Sequence, residues 1–142
     1  MAIKLRYRVN TSNIGWTPWS QSGNPAGNTN DPTDQVLAIE INLDDKPANT
    51  QITYAVNIKE PNFWSPLVSN GITAGFPGSG LFVDKIYADL INAGGLILLY
   101  SVHISPFGWI PWVISSNANS SNGVGIDNQS IQAINMILVK NS

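Results

Sequence analysis

GWTPW at residues 15–19 returns as GWIPW at residues 108–112, and FWSPL stands between them at residues 63–67. Trp64 follows Trp16 by 48 residues, and Trp109 follows Trp64 by 45. Two positions beyond each of these tryptophans is a proline (Pro18, Pro66, Pro111), and three beyond are Trp19, Leu67 and Trp112. Seven beyond stand Gly23, Gly71 and Ser116; eleven beyond stand Gly27, Gly75 and Ser120, so the third copy lacks the Ala-Gly turn of the first two. Upstream are Val9-Asn10, Val56-Asn57 and Val102-His103, and downstream the alternating runs Ile39-Ile41-Leu43, Ile86-Ala88-Leu90 and Ile134-Met136-Leu138. Agreement at so many positions with one period marks a repeat. The chain divides into three units, approximately 1–48, 49–95 and 96–142, of a single domain.

Each unit reads as β. KLRYRVN and ITYAVNI alternate with period two, and ILLYSVHI is β-rich throughout. Proline within Trp-x-Pro-x forbids a helix interior and suits an edge or bulged strand. The Gly-, Asn-, Ser- and Pro-rich stretches that follow are turns and loops. VDKIYADLINAGG at 83–95 has a helical look, but its alignment with two strands makes it a strand. One such unit has a single apolar face and cannot bury it alone, whereas three facing inward share a core. The expected fold is therefore all-β, a pseudo-threefold β-prism of three repeats, with a β-trefoil as the alternative. In KLRYR, Lys4, Arg6 and Arg8 share one strand face, which reads as a solvated edge guarded by charge.

Composition narrows the function. Of 142 residues, 43% are hydrophobic and only 11% charged, so neutral polar side chains must keep the surface wetted. A net charge of −2 lacks the basic footprint of a nucleic-acid binder. With no cysteine there is no disulfide or thiolate chemistry. No cofactor or metal motif is visible. The run LILLY at 96–100 is too short to span a bilayer, and MAIKLRYRV has no apolar signal core. The expectation is a soluble protein, cytoplasmic or exported by a non-classical route; the triplets NTS, NSS and NQS matter only if it is secreted.

The run of Val-His/Asn, Gly-Trp, a second Trp three on, then Gly, Ala-Gly and Ala-Ile before an alternating strand resembles the clostridial hydrophobic repeat with conserved tryptophan. It shows best in YSVHISPFGWIPWV with SIQAINMIL, where His103 and Ala133-Ile134 match, and in IGWTPWSQSGNPAGN with LAIEINL. The acidic residue before the Ala-Ile is kept only as Asp84, with Leu37 and Gln132 at the other two positions. This resemblance implies surface adhesion and ligand binding and no defined reaction. The spacing Gly-x-x-x-Asp, at Gly27–Asp31, Gly80–Asp84 and Gly123–Asp127, is similar to the sugar-binding loop of jacalin-like β-prism lectins.

Trp16, Trp64 and Trp109 hold one position in all three units and read as structural repeat core. Trp19 and Trp112, replaced by Leu67 in the second unit, are candidates to stack on a sugar ring. Asn24, Asp31, Asp34, Asp84 and Asp127 lie in or beside the loops as candidate hydroxyl acceptors, although Asp is equally a turn residue. His103 takes the place of Asn10 and Asn57, so a hydrogen-bonding role fits it better than proton transfer. No nucleophile elbow, phosphate loop or metal motif supports an enzyme. A repeated shallow site suits multivalent binding. The sequence therefore predicts a non-enzymatic, lectin-like protein with up to three related sites for glycans or glycoconjugates. The rivals are a protein-interaction or self-assembling module that pairs with copies of itself, and the receptor-binding component of a toxin.

Overall fold

The structure is a computed structural model that describes residues 2–114 and 123–140. It is all-β among the described residues and consists of three five-stranded antiparallel sheets. Each sheet is centred on a pair of long strands. β1 (Lys4–Thr11) pairs with β5 (Val36–Asp44), β6 (Gln51–Ile58) with β10 (Val83–Ile91), and β11 (Leu96–Ile104) with β15 (Ala133–Lys140). The tryptophan motif then folds back along the outer side of the leading strand as two short pieces. These are β2 (Gly15–Trp16) and β3 (Ser20–Gln21) on β1, β7 (Phe63–Trp64) and β8 (Val68–Ser69) on β6, and β12 (Gly108–Trp109) and β13 (Val113–Ile114) on β11. The proline between the two pieces interrupts the ladder, as its missing N–H requires. VDKIYADLI is strand, as its alignment predicted.

The fifth strand of every sheet comes from another part of the chain. β9 (Ala74–Gly75) completes the first sheet by pairing with β5, β14 (Val124–Gly125) completes the second on β10, and β4 (Ala26–Gly27) completes the third on β15. The units read from sequence are thus not self-contained in space. Each lends two residues to a neighbour, and the loans run in a closed cycle. The sequence alignment had placed Ser120 opposite Gly27 and Gly75 and left the third unit without this element. The structure puts Val124-Gly125 there instead, sixteen residues after Trp109 where the other two copies need eleven. Ser116 and Ser120 lie outside the described residues.

Glycine is compulsory in these loaned strands. Gly27, Gly75 and Gly125 have φ of 122°, 106° and 145°, a region open in practice to glycine alone. A Cβ on Gly27 would stand 2.3 Å from the Gln132 carbonyl oxygen, on Gly75 2.5 Å from that of Leu37, and on Gly125 2.1 Å from that of Asp84. Chain therefore crosses chain at backbone distance three times, between equivalent positions.

The three long pairs turn their inner faces to one core. Leu5, Val9, Ile39, Ile41, Val56, Ile86, Val102, Ile134 and Met136 all belong to it. Tyr7, Tyr54 and Tyr100 belong to it as well, fully buried at matching places on the three leading strands. Each phenol leaves its own sheet to reach the backbone of a closing strand in another. The Tyr7 hydroxyl accepts from the Met136 amide at 3.1 Å and donates to the Asn24 carbonyl. Tyr54 donates to the Ile72 carbonyl and is hydrogen-bonded by the backbone of Ile41. Tyr100 accepts from the Ala88 amide at 3.3 Å. A tyrosine buried in a core needs such a partner, and here the partner ties sheet to sheet. Backbone bonds from Val36 N–H to the Ile131 carbonyl (2.8 Å) and from Ile131 N–H to the Val83 carbonyl (3.0 Å) join the same three segments where they meet.

One reading is corrected. The strand KLRYRVN is no edge: β5 flanks it on one side and β2 with β3 on the other. Its arginines are paired across the sheet instead of standing guard, Arg6 with Asp44 and Arg8 with Glu40, each at 2.8 Å.

Gly75→Ala should cost roughly 3 kcal/mol of unfolding free energy, through backbone overlap and a strained φ together. Gly94→Ala, where an added Cβ meets nothing within 4 Å, should change it by less than about 0.5 kcal/mol in the same urea titration. Burial pushes the Tyr54 hydroxyl up to about 12. The unfolded chain ionises this phenol near pH 10, so it binds fewer protons than the folded chain above that point. Stability should hold below about pH 10 and fall toward pH 12, with a shallower fall in Tyr54→Phe.

Candidate ligand-binding surface

Because inner faces are apolar and the long strands alternate beyond the register shifts at Asn10/Thr11 and Val83/Lys85, every second residue there points outward. On the first sheet those are Arg6, Arg8 and Asn10 opposite Ala38, Glu40, Asn42 and Asp44. On the second they are Thr53, Ala55 and Asn57 opposite Lys85, Tyr87, Asp89 and Ile91. On the third they are Ile97, Leu99, Ser101 and His103 opposite Ala133, Asn135, Ile137 and Val139. One backbone plan therefore carries a charged face, a mixed face and an apolar face.

The tryptophans of the repeat lie on these outer faces and are not core. Trp16, Trp64 and Trp109 stand in register opposite Asn10, Asn57 and His103. Trp64 is 38% and Trp109 41% exposed, and Trp16 is half-buried. The Trp64 ring crosses the second sheet from β7 on one edge toward Gly123 on the other, where an added Cβ would stand 3.0 Å from Cη2. Trp16 packs against the Arg8 guanidinium, 4.4 Å from its ring. Trp109 meets the His103 ring edge-on at 5.3 Å. Equivalence in three units had pointed to the interior. The interior positions that recur are instead the tyrosines, which the sequence reading passed over even though Tyr7, Tyr54 and Tyr100 keep the same period.

Trp19 and Trp112 are exposed, at 37% and 45%. Arg6 and Arg8 lie 4.3 and 4.7 Å from the Trp19 ring, within cation–π reach. A cleft of about 300 Å³ opens beside it, where the first sheet meets the third, lined by Arg6, Trp19, Gln21, Ser22, Asp44 and Leu138 among others. The Ser22 hydroxyl accepts from the Leu138 amide at 2.9 Å and fixes the wall of this cleft. Asn24 is exposed nearby, and its carbonyl is taken by Tyr7. In the other sheets the places of Arg6 and Asp44 are held by Thr53 and Ile91, and by Leu99 and Val139. The Arg–Asp pair beside an indole thus occurs at one of the three equivalent places.

The carboxylates separate into structural and exposed ones. Asp34 is fully buried; it accepts from the Asn13 amide at 2.8 Å and from Asn28 Nδ2 at 3.3 Å. Asp84, 2% exposed, accepts from Asn57 Nδ2 at 2.8 Å and from the Asn128 amide at 3.0 Å. Neither side chain reaches solvent as a ligand acceptor must, so both are structural. Gln132, in the place of Asp84, is likewise buried and accepts from the Ser105 amide at 2.6 Å. Asp31 accepts from the amide and hydroxyl of Thr33, at 2.9 and 2.7 Å, a turn that holds its carboxyl below the usual range. Asp127 is 86% exposed at its side chain and pairs with Lys85. The Gly-x-x-x-Asp spacings therefore mark three unlike places: Gly27 is in a loaned strand, Gly80 in a bend, and Gly123 just before a loaned strand.

His103 Nδ1 is buried without a hydrogen-bond partner among the described residues, and the imidazole meets the Trp109 ring. Charged residues the sequence reading left aside (Lys59, Lys85, Asp44) prove to line clefts. Their signal was their solitude, because no equivalent residue in the other units carries charge.

Asp84→Ala removes the buried acceptor that joins the Asn57 amide group to the Asn128 N–H and should lower stability by roughly 2 kcal/mol. Asp127→Ala, at an exposed ion pair, should change it by less than about 0.5 kcal/mol. Urea unfolding of the two variants checks this division. No protein-family model, no curated protein and no solved structure matches this chain.

Proposed function

We propose that this chain is a non-enzymatic, carbohydrate-binding protein, built as a β-prism about a pseudo-threefold axis. The prism reading rests on the closed cycle of loaned strands and on long strands that pair only within their own sheets. A trefoil barrel would pair them between sheets. The carbohydrate reading is carried by the cleft at Trp19. There a half-exposed indole stands beside a carboxylate, a guanidinium, an amide and a hydroxyl in a space the size of one or two sugar rings. Sugars present an apolar C–H face and a ring of hydroxyls, which calls for this division between flat apolar surface and a few placed polar groups. Trp112 and Leu67 hold the same place on surfaces without the ion pair, so the three sites differ in ligand or in strength.

A glycan array with the intact protein should show binding, and Trp19→Ala should weaken it at least tenfold without changing the unfolding midpoint. Absence of binding to every neutral and charged glycan at high protein concentration overturns the reading.

A second reading draws on the third sheet. Phe107, Trp109, Trp112 and Ile114 are 61%, 41%, 45% and 46% exposed, a clustering typical of interaction surfaces. In that case sedimentation should show concentration-dependent mass that simple sugars leave unchanged.

A further inference from the structure

The second sheet carries a cleft whose chemistry differs from that at Trp19. It measures about 320 Å³ and is lined by Lys59, Asn62, Asp84, Lys85, Asp127 and Asn128. An adjoining hollow shares Lys85 and Asp127 and continues past Gly123 and Gly125, toward the Trp64 ring. Both lysines are peculiar to this unit. The place of Lys85 is held by Ala38 and Ala133 in the other sheets, and that of Lys59 by Ser12 and Ser105.

The donors and acceptors of this cleft are unevenly committed. Asp84 is buried, with one oxygen on the Asn57 amide group and the other on the Asn128 N–H, so it is closed to a ligand. Asn62 accepts from Asn57 through Oδ1, which turns its NH2 outward as a donor. The Lys59 ammonium rests 5.6 Å from the Phe82 ring, and no carboxylate pairs with it among the described residues. Lys85, with its side chain 22% exposed, is met by one carboxylate, that of Asp127, itself 86% exposed. An ion pair with so exposed a partner is held weakly and screened by salt. Its geometry nevertheless records what Lys85 accepts: a carboxylate arriving from the solvent side.

We propose that this cleft binds the carboxylate of an acidic saccharide, with Lys85 and Lys59 as the anion-binding residues and Asp127 as an internal competitor that the ligand displaces. The inference rests on the carbohydrate reading and deepens it. The incoming carboxylate replaces that of Asp127 on Lys85, so no buried charge is left without a counterion. The sugar ring adds what Asp127 lacks, hydroxyls toward Asn62 and a face toward Trp64. Asp127 swings into water, where its exposure already places most of its surface.

Calorimetry on the full chain tests this with oligosaccharides bearing galacturonic, glucuronic or sialic acid, each beside its neutral parent and a sulfated counterpart. At least one carboxylated oligosaccharide should bind tighter than its neutral parent, with affinity falling as salt is added. Lys85→Met should weaken that ligand at least tenfold and Lys59→Met several-fold, while neutral glycans bound at Trp19 keep their affinity. Asp127→Asn should tighten it several-fold, an outcome that damaged folding cannot imitate. Neutral glycans binding with no gain from a carboxylate overturns this inference and leaves the carbohydrate reading standing. Binding of neither class overturns both. A preference for sulfate, an unaltered affinity in Lys85→Met or a loss of affinity in Asp127→Asn overturns the assignment of the carboxylate to Lys85.

Discussion

The structure depends on three places where a glycine lies directly on a neighbouring backbone. Gly27, Gly75 and Gly125 each stand where a methyl group would overlap a carbonyl oxygen. At each, two residues leave their own unit to finish a sheet elsewhere. A sheet of four strands would otherwise expose the outer edge of β5, β10 or β15, a row of unpaired donors and acceptors. Because each loan is repaid by a different unit, no unit can fold fully on its own. The tyrosine hydroxyls act in the same direction, since each crosses from one sheet to the backbone of another. Cohesion between the sheets is thus polar and directional at three recurrent points, set within an apolar core that by itself would tolerate sliding.

This arrangement divides the constraints on the chain by face. Inward positions are fixed by shape and apolarity, and they agree in all three units. Outward positions touch water or an indole, and little obliges them to agree. The first sheet carries Arg6, Arg8, Glu40 and Asp44, the second Lys85 and Asp89, and the third Ile97, Leu99, Ile137 and Val139. A repeat of this kind offers three surfaces for divergence on one frame. The two clefts, one beside Trp19 and one between Lys59 and Lys85, are chemically unlike for that reason.

The repeated indoles fall between the two regimes. Each lies on the outside of its sheet, partly covered and partly open to solvent. An indole suits that position because its body is apolar and its N–H can remain wet. Recurrence in three copies therefore carried less information about burial than it first implied. A position recurs when the local backbone demands it, and the outer shelf of a sheet can demand an aromatic as firmly as a core does.

The sequence by itself determined the β class, the strands and the period, because alternation, proline and glycine act within a few residues of one another. It also marked Gly27 and Gly75 as a recurring pair. It did not identify Gly125 as their counterpart, since five extra residues displace that glycine from its expected place and only strand pairing locates it. Nor did it separate Asp34 and Asp84, which are buried and bonded, from Asp127, which is exposed; all three look alike in a loop-rich sequence. Which residues share a cleft was equally out of reach. Lys59, Lys85 and Asp127 are brought together by a strand lent from the third unit to the second, and a contact made by chain crossing between units leaves no periodic trace in either. Burial and proximity are properties of the assembled sheets, and they were decided only when the three units closed on one another.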